Sequence, residues 1–443
     1  MNLEKLKTAV LVILVATSLG LTFALWTYQP QYEETDEITY LEENELDGEQ
    51  QTISDVISPK HIIFHNNAHT TPRSKSNEQQ LFQEMSDWAF SELDQYPSED
   101  ASSVWTPNVE VVMPVSVPYE MINQLFNVED TTNLQNESFN RVFFQLTQGS
   151  EEQIRVSFTS DTHDQVLNGL IESVSAYEHL QSYIYDDNMI PVEKVELHED
   201  QPTDYVYLTQ EDTTVTEHTV LIDELDDQPL KNVLFSNPTL ISQQNTGDDY
   251  QEVLTDGTRL LRYNNAFSTG RYISYYKPPT QELSDLSLME LLNRSVEHTN
   301  DYNGWTNNFN VSQLSEQNQM IQYRLHQNGY PVFDDNQYVT LRQEWANQEL
   351  QLLKRPLFKL TTPFQDHDEV ELPSGVSIYD YLESSSQEIS LSLVSDIKMG
   401  YQLSEEEGSS NVLFLEPTWF IKYAGVWRPF GYFEERITLQ EDG

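Results

Sequence analysis

Residues 8–26, which read TAVLVILVATSLGLTFALW, decide how the rest of the chain is organised. No charged side chain occurs from Thr8 through Tyr32. As a helix with a rise of about 1.5 Å per residue, residues 9–26 would extend about 27 Å, close to the hydrocarbon core of a bilayer, about 30 Å thick. Because a chain in lipid must form its backbone hydrogen bonds internally, the stretch predicts one transmembrane helix.

The two ends of this helix predict its orientation. Lys5 and Lys7 precede the apolar run, and an acidic segment follows it. Basic residues stay on the cytoplasmic side, and aromatic rings such as Trp26 and Tyr28 favour the membrane–water interface. We therefore predict these four residues as membrane-interface anchors. The protein would cross the cell membrane once, with a cytoplasmic N-terminus and an extracytoplasmic bulk.

The apolar stretch has two alternative interpretations besides a membrane anchor. A cleaved secretory signal also combines a short basic region with an apolar run, but the best cleavage candidate, TFA at residues 22–24, fits poorly. A buried core helix is disfavoured because it would rarely lack a polar face over this length. The uncleaved anchor is therefore the favoured interpretation, with cleavage left open.

Ala16, Gly20 and Ala24 are spaced by four and would share one face of the helix. Small residues let a second helix approach closely in lipid, so this face is a candidate helix-packing surface. The alternative is that small residues are common in any membrane helix. The pattern alone does not decide between the two.

Composition narrows the function of the remaining chain. The 443 residues carry 73 acidic and 23 basic side chains, for a net charge of −50. Nucleic-acid binding is excluded because phosphate contacts need clustered Lys and Arg, and docking on anionic lipid is disfavoured. A content of 38% hydrophobic residues still permits packed cores. The absence of cysteine excludes disulfides and thiolate chemistry.

Composition shifts and turn signals predict an α+β architecture of mixed, mainly antiparallel sheets with packed helices. Alternating Val109, Val111, Met113, Val115 and Val117 are typical of a half-buried strand. The predicted regions are a tail and anchor at 1–28, an acidic tether at 29–51, an α+β domain at 52–190, a central β-rich domain at 191–279 and a C-terminal α+β domain at 280–443. Like charges favour a solvated spacer over a docking strip for the tether.

Motifs for catalysis or cofactor binding are absent from the sequence. It contains no G-x-x-x-x-G-K, G-x-G-x-x-G, G-x-S-x-G or H-E-x-x-H pattern. His61, His65 and His69 are spaced by four, but the intervening residues favour a strand, so ordinary surface histidines are preferred over a metal site. We therefore predict no catalytic residue, no cofactor and no metal site.

Aromatic residues are dense near the C-terminus. The cluster comprises Trp419, Phe420, Tyr423, Trp427 and Phe430. Packing in a core is the favoured interpretation, because aromatic side chains dominate cores. A ligand groove is the alternative.

Four segments carry a resemblance to a known family. They are WTYQPQY at residues 26–32, LLNRSV at 291–296 with GWT at 304–306, YRLHQNGYPVF at 323–333 and LEPTWFIKY at 415–423. Together, in this order, they resemble the YycH proteins of Gram-positive bacteria. The resemblance extends from one end of the chain to the other.

The resemblance implies a non-catalytic regulator of the essential sensor histidine kinase YycG, also called WalK, which controls cell-wall metabolism. It also implies that the protein acts with the membrane protein YycI, whose fold is similar to the C-terminal YycH domain, through membrane-helix and ectodomain contacts. The expected partners are thus the kinase, a YycI-like protein and the lipid bilayer. The strong acidity departs from the family and puts any charge-based interface in doubt. A surface hydrolase or binding module acting on cell-wall polymer is the alternative.

Overall fold

The computed structural model describes residues 14, 17–18, 45–97, 107–128, 137–147, 152–161, 165–198, 205–245, 252–267, 270–279, 285–346, 348–361, 368–405 and 411–441, and these are called the described residues below. Their α-helices are α1 (Ile53–Val56), α2 (Lys75–Asp87), α3 (Ile122–Leu125), α4 (Val174–Ile184), α5 (Gln228–Leu234), α6 (Leu288–Asn300), α7 (Gly375–Ser384) and α8 (Phe430–Glu441). Short 3-10 helices span Tyr119–Met121, Pro238–Leu240 and Leu391–Leu393.

The first sheet is built from the N-terminal half. Its strands are β1 (His61–Asn66), β2 (Ala68–Thr71), β3 (Ala89–Pro97), β4 (Val109–Pro118), β5 (Asn127–Val128), β6 (Ser138–Thr147), β7 (Gln153–Thr159), β8 (Gln165–Ile171), β9 (Ile190–Glu196) and β10 (Tyr205–Thr209). They are hydrogen-bonded in the order β10-β9-β2-β1-β4-β6-β7-β8-β3-β5. Only the β3–β5 pair is parallel among the described pairs of this sheet.

A second, larger sheet follows. Its strands are β12 (His218–Glu224), β13 (Ser242–Asn245), β14 (Glu252–Thr255), β15 (Leu260–Asn265), β16 (Arg271–Tyr276), β17 (Phe309–Ser315), β18 (Met320–Gln327), β19 (Tyr330–Phe333), β20 (Thr340–Ala346), β21 (Glu349–Pro356), β22 (Phe358–Thr361), β24 (Val394–Glu405), β25 (Val412–Tyr423) and β26 (Val426–Pro429). The order is β13-β14-β15-β16-β21-β20-β18-β19-β24-β25-β12-β22, with β17 on β18 and β26 on β25. A separate ribbon pairs β11 (Thr213–Thr216) with β23 (Glu369–Leu372).

Helix α6 lies between the two sheets. Its capping box is formed by Ser287 and Glu290, whose side chains each accept the other's backbone N–H. Leu291, Leu292 and Val296 are buried on one stripe. The helix contacts β18 in the second sheet and β4 in the first, so one continuous apolar core extends across both.

The predicted fold class is confirmed at the level of a mixed α+β protein. The described residues form a mixed α+β structure with extensive antiparallel sheets. The alternating residues 109–117 form β4, and Leu288, Leu291 and Leu292, whose spacing predicts a helix, lie in α6. The strands β9 and β10 pair in the first sheet, although they lie in the predicted central region. The domain boundaries themselves stay a prediction.

Several local predictions were wrong. The sequence pattern predicts a helix from His163 towards Tyr185, but residues Gln165–Ile171 form β8 and the helix begins only after Ser173, which caps α4. The pattern of Ile389, Leu391 and Leu393 predicts a strand, but Leu391–Leu393 form a 3-10 turn. Non-local pairing decided the first case, because β8 is held between β7 and β3.

The last residues of the predicted tether are bound to the folded region. Leu46 is buried, and its backbone N–H donates to the Tyr302 carbonyl at 2.9 Å. Gln51 exchanges two hydrogen bonds of 2.9 Å with the Asn300 side chain. Gly48 lies so close to the Trp305 backbone that a Cβ would come within 2.8 Å of it. This close approach requires glycine at position 48.

Candidate functional site

The predicted membrane residues lie outside the described residues. This applies to the helix-packing face at Ala16, Gly20 and Ala24, and to the anchors Lys5, Lys7, Trp26 and Tyr28. None of the helices formed by the described residues has both the length and the apolar character needed to cross a bilayer. The membrane predictions therefore stay predictions.

The described residues enclose a cavity of about 300 Å³ between the first and second sheets. Seven basic side chains line it: Lys60, Lys75, Lys398, Lys422, Arg73, Arg141 and Arg324. They are seven of the 23 basic residues in the whole chain, whereas Asp161 and Asp396 are the only acidic side chains among the described residues that line the same cavity. We call this site the basic cavity.

An ion pair joins the two sheets at the basic cavity. Lys60 immediately precedes β1, and its Nζ lies 2.5 Å from Oδ1 of Asp396 on β24. Lys398, two residues further along β24, places its Nζ 3.4 Å from Oδ2 of the same carboxylate. One carboxylate is therefore shared by two ammonium groups. Burial would raise the pKa of Asp396, but Lys60 and Lys398 lower it below its ordinary value.

A second group of charges lies at the start of α2. Lys75 donates to Oε2 of Glu78 at 2.5 Å and to the carbonyl of Lys60 at 2.9 Å. Its Nζ is also 3.3 Å from Nδ1 of His61. Burial, together with Lys75 and Lys60, holds the pKa of His61 well below its ordinary value, so the imidazole is neutral at pH 7.

Gly329 brings the second sheet against this helix. It sits in the turn between β18 and β19 with a φ of 81°, and a Cβ there would come within 2.7 Å of the Lys75 Cβ. Both the left-handed backbone and the close approach favour glycine. The turn thereby places Arg324 and His326 of β18 at the same cavity as Lys75.

Aromatic rings hold several of these cations in place. The Arg324 guanidinium lies 4.3 Å from the Phe333 ring centre, and Lys398 Nζ lies 4.5 Å from the ring centre of Trp427. Phe333 and Trp427 are themselves 5.3 Å apart. Cation–π contacts orient a cation but add no formal negative charge. The C-terminal aromatic cluster thus contributes both to the core, through Phe420, and to the cavity wall, through Trp419 and Trp427.

A second polar cluster lies on the first sheet and shares Arg141 with the basic cavity. Glu110 of β4 is 1% exposed and accepts from Arg141 at 2.5 Å, Tyr205 at 3.0 Å and Tyr207 at 2.7 Å. Its Oε2 lies 3.4 Å from Nε2 of His65. Burial would raise the pKa of Glu110, but His65, Arg141 and Tyr207 lower it to about 2. We call this set of five side chains the Glu110 cluster.

The histidines depart from the expectation of ordinary surface residues. Asn67, with a φ of 57°, turns β1 into β2, so His65 pairs with His69 and their Nδ1 atoms are 2.8 Å apart. Treating the segment as one strand missed this hairpin. His61 lies elsewhere, at the basic cavity. Within the described residues, no group of three His, Cys, Asp or Glu side chains is arranged to hold a metal ion.

Sequence reasoning did not identify the basic cavity. Strand β24, which carries Asp396 and Lys398, was missed altogether. Its signal was present, because Ile397, Met399, Tyr401 and Leu403 alternate with more polar residues. Two segments that carry the family resemblance, residues 323–333 and 415–423, contribute Arg324 and Lys422 to the cavity. The convergence of separate segments became visible only in three dimensions.

Comparisons with known proteins agree with this architecture. The family model described as "YycH protein, N-terminal domain" matches residues 4–188, and "YycH protein, C-terminal domain" matches residues 203–436. The "Two-component system WalR/WalK regulatory protein YycH" of Bacillus subtilis (strain 168) is 21% identical over 449 residues, covering 96% of each chain. The crystal structure of YycH from Bacillus subtilis shares the fold, with a TM-score of 0.69 and 16% identity over 86% of this chain and 98% of that chain. Since the C-terminal model alone spans more than half of the 443 residues, the chain belongs to the YycH family.

Proposed function

We propose that this protein is a regulator of the WalR/WalK two-component system. The supporting observation is the match to the Bacillus subtilis WalR/WalK regulatory protein YycH, which covers 96% of both chains. Both domain models of the family match in sequence order. A relationship that extends along nearly the whole of both chains favours a shared role over reuse of a single domain.

In the finer form of the proposal, the protein is a membrane-anchored, non-catalytic partner of the WalK sensor kinase at the cell surface, acting with a YycI-like protein. The helix predicted at residues 8–26 supplies the anchor and the face of Ala16, Gly20 and Ala24. A partner helix packed on this face would favour one of two kinase conformations. The regulatory ligand is then the neighbouring helix. The difference between its contact energies with the two kinase conformations sets the activity of the kinase.

In-cell crosslinking tests this proposal directly. Because the chain contains no cysteine, a single cysteine at Ala16 can carry a thiol-reactive photo-crosslinker without background from this protein. We expect the Ala16→Cys protein to capture WalK or a YycI-like protein in living cells. Capture of neither partner, with the protein present in the membrane fraction, would contradict the proposed function.

A pair of leucine substitutions tests the packing face separately. Gly20→Leu adds bulk to the proposed face, whereas Ser18→Leu adds a leucine about 200° around a helix of 3.6 residues per turn. We expect Gly20→Leu to reduce co-purification with the partner and to change a WalR-dependent reporter, and Ser18→Leu to leave both unchanged. Equal co-purification of the two variants would refute the face while leaving the regulatory role standing.

A wall-polymer hydrolase gains no support from the two carboxylates at the basic cavity. A general acid needs a raised pKa, whereas Lys60 and Lys398 lower that of Asp396. Asp161 lies 3.5 Å from Nε of Arg141, so it is paired with a cation. The geometry is that of charge-paired carboxylates.

A further inference from the structure

We propose that the basic cavity is a binding site for a phosphate-class oxyanion, either a free phosphate or a phosphate ester, held between Lys60, Lys75, Lys398 and Lys422. This inference goes beyond regulation of the kinase and does not depend on it. It rests on the enclosed volume, the charge of the lining and the way in which the cations are held.

The lining carries an excess of positive charge in a strongly acidic protein. Seven cations face the cavity with two carboxylates, Asp161 and Asp396. Glu78 and Glu110, which pair with Lys75 and Arg141, add two more carboxylates from behind the wall. Asp334, whose charge acts on Arg324, is a fifth carboxylate. Seven cations against five carboxylates leave two positive charges uncompensated. A chain with a net charge of −50 has many carboxylates that could have neutralised this site, and the fold places them elsewhere.

Several of these cations have no carboxylate in direct contact, although Asp334 acts on Arg324 and Asp396 on Lys422 at longer range. Within the described residues, Arg73, Arg324 and Lys422 form no ion pair. Arg324 is 6% exposed, and its guanidinium is held by the Val332 carbonyl at 3.0 Å and by the Phe333 ring. Neutral partners such as these satisfy direction but not charge. Because a buried uncompensated charge is costly, a bound anion would stabilise the site.

The cost of burying these cations is visible in their pKa values, although Asp334 partly offsets it for Arg324. Burial, with Lys60 and Arg324 adding and Asp396 opposing, lowers the pKa of Lys398 to about 8. Burial also lowers the pKa of Arg324 to about 10. An anion in the cavity would reverse this trend by favouring the protonated forms. The site is therefore electrostatically prepared for a negative ligand.

The size and donor set favour a compact, multiply charged anion. A volume of about 300 Å³ admits a phosphate group together with a small attached alcohol, but not an extended polymer. Two excess charges match a dianion better than a monocarboxylate. Lysine ammonium groups and arginine guanidinium groups are the usual donors to phosphate oxygens. The rings of Trp427 and Phe333 form an apolar wall against which the ester portion could pack.

Calorimetric titration of the full chain in detergent tests the site with three probes: inorganic phosphate, glycerol 3-phosphate and phosphatidylglycerol in mixed micelles. Ionic strength is held constant with chloride. Saturable binding of inorganic phosphate indicates that the ligand is a free anion. Tighter binding of glycerol 3-phosphate indicates a small phosphate ester, and tighter binding of phosphatidylglycerol indicates a lipid headgroup. Absence of saturable binding for all three probes overturns the proposal.

Three variants locate the binding. Lys422→Met and Lys398→Met remove cations from the cavity. Lys277→Met is the control, because Lys277 does not line the cavity and pairs with Glu349 at 2.6 Å. We expect each cavity variant to weaken binding at least about tenfold, because hydrogen bonds to charged groups are the strong ones. Lys277→Met should bind as the wild-type protein does. Equal affinity of all variants would overturn the proposal. If Lys398→Met does not fold, Lys422→Met alone is sufficient for the test, since Lys422 has no ion pair to lose among the described residues.

Discussion

The Glu110 cluster and the basic cavity are adjoining groups of buried charges. They differ in how completely those charges are paired. Glu110 is surrounded by donors, so its two oxygens accept from Arg141, Tyr205 and Tyr207. At the cavity, Asp396 alone pairs with both Lys60 and Lys398 and also attracts Lys422, which lies opposite it on β25. One set is satisfied within the protein, and the other is left with excess positive charge.

This difference separates structure from binding. A buried carboxylate surrounded by donors fixes the positions of the strands that carry them, here β4, β6 and β10. A set of cations with too few carboxylates gains little for the fold by itself, and its free energy improves when an anion arrives. The same residue types thus serve two roles according to how completely they are paired. Substitutions in the two sites should therefore behave differently.

The largest effect is expected for Arg141→Met. Arg141 is the only cation hydrogen-bonded to Glu110 among the described residues, and both side chains are nearly inaccessible, at 8% and 2% exposed. Removing one partner of a buried pair leaves an uncompensated charge, which costs about 3–5 kcal/mol. Denaturant unfolding should show this loss.

Arg262→Met is the matched control for that experiment. Arg262 is exposed on β15, and its loss should change the unfolding free energy by less than about 0.5 kcal/mol. If the Arg141 variant lost no more stability than this control, the Glu110 cluster would not be the structural element described here.

The acid dependence of stability should also reside in the Glu110 cluster. Folding lowers the pKa of Glu110 from 4.5 to about 2, so its contribution is complete above pH 4.5 and is lost as the pH falls towards about 2. The difference in unfolding free energy between wild type and Glu110→Gln should shrink by about 3 kcal/mol over that window. Unfolding measured at several pH values checks this. A constant difference would mean that Glu110 is not ionised by its partners.

A smaller effect is expected for Lys60→Met. The substitution breaks the 2.5 Å contact between the sheets, but Lys398 remains 3.4 Å from the same carboxylate. Asp396 would keep a counterion, so we expect a loss of only about 1 kcal/mol. Denaturant unfolding at neutral pH gives the value. A loss as large as that of Arg141→Met would show that Lys398 does not substitute for Lys60.

Local periodicity predicted much of the framework. Strand β4 and the stripe of α6 are visible in the sequence because both bury a regular set of apolar residues. Strand β8 was mistaken for a helix because its pairing with β7 and β3 is a property of distant segments. Propensity carries no information on such partners.

The basic cavity could not be predicted for a related reason. Its cations come from β6, β18, β24, β25 and the ends of α2 and β1, which are far apart in the chain. In a sequence with 73 acidic residues, seven scattered cations give no local signal. The predicted membrane helix is the opposite case, since its evidence is one contiguous stretch, most of which lies outside the described residues.

The smallest effect on intrinsic stability, and the sharpest contrast between the two sites, is expected for Lys422→Met. Without phosphate, the variant should unfold within about 0.5 kcal/mol of wild type, because Lys422 is half-buried and loses only a longer-range attraction to Asp396, not a close ion pair. With phosphate added, wild type should gain stability by mass action and the variant should gain less. Thermal unfolding with and without phosphate, at constant ionic strength, measures both. A loss of stability in the absence of phosphate would mean that Lys422, like the charges of the Glu110 cluster, is required for folding. Its charge would then be compensated within the protein and would not be left for a bound anion.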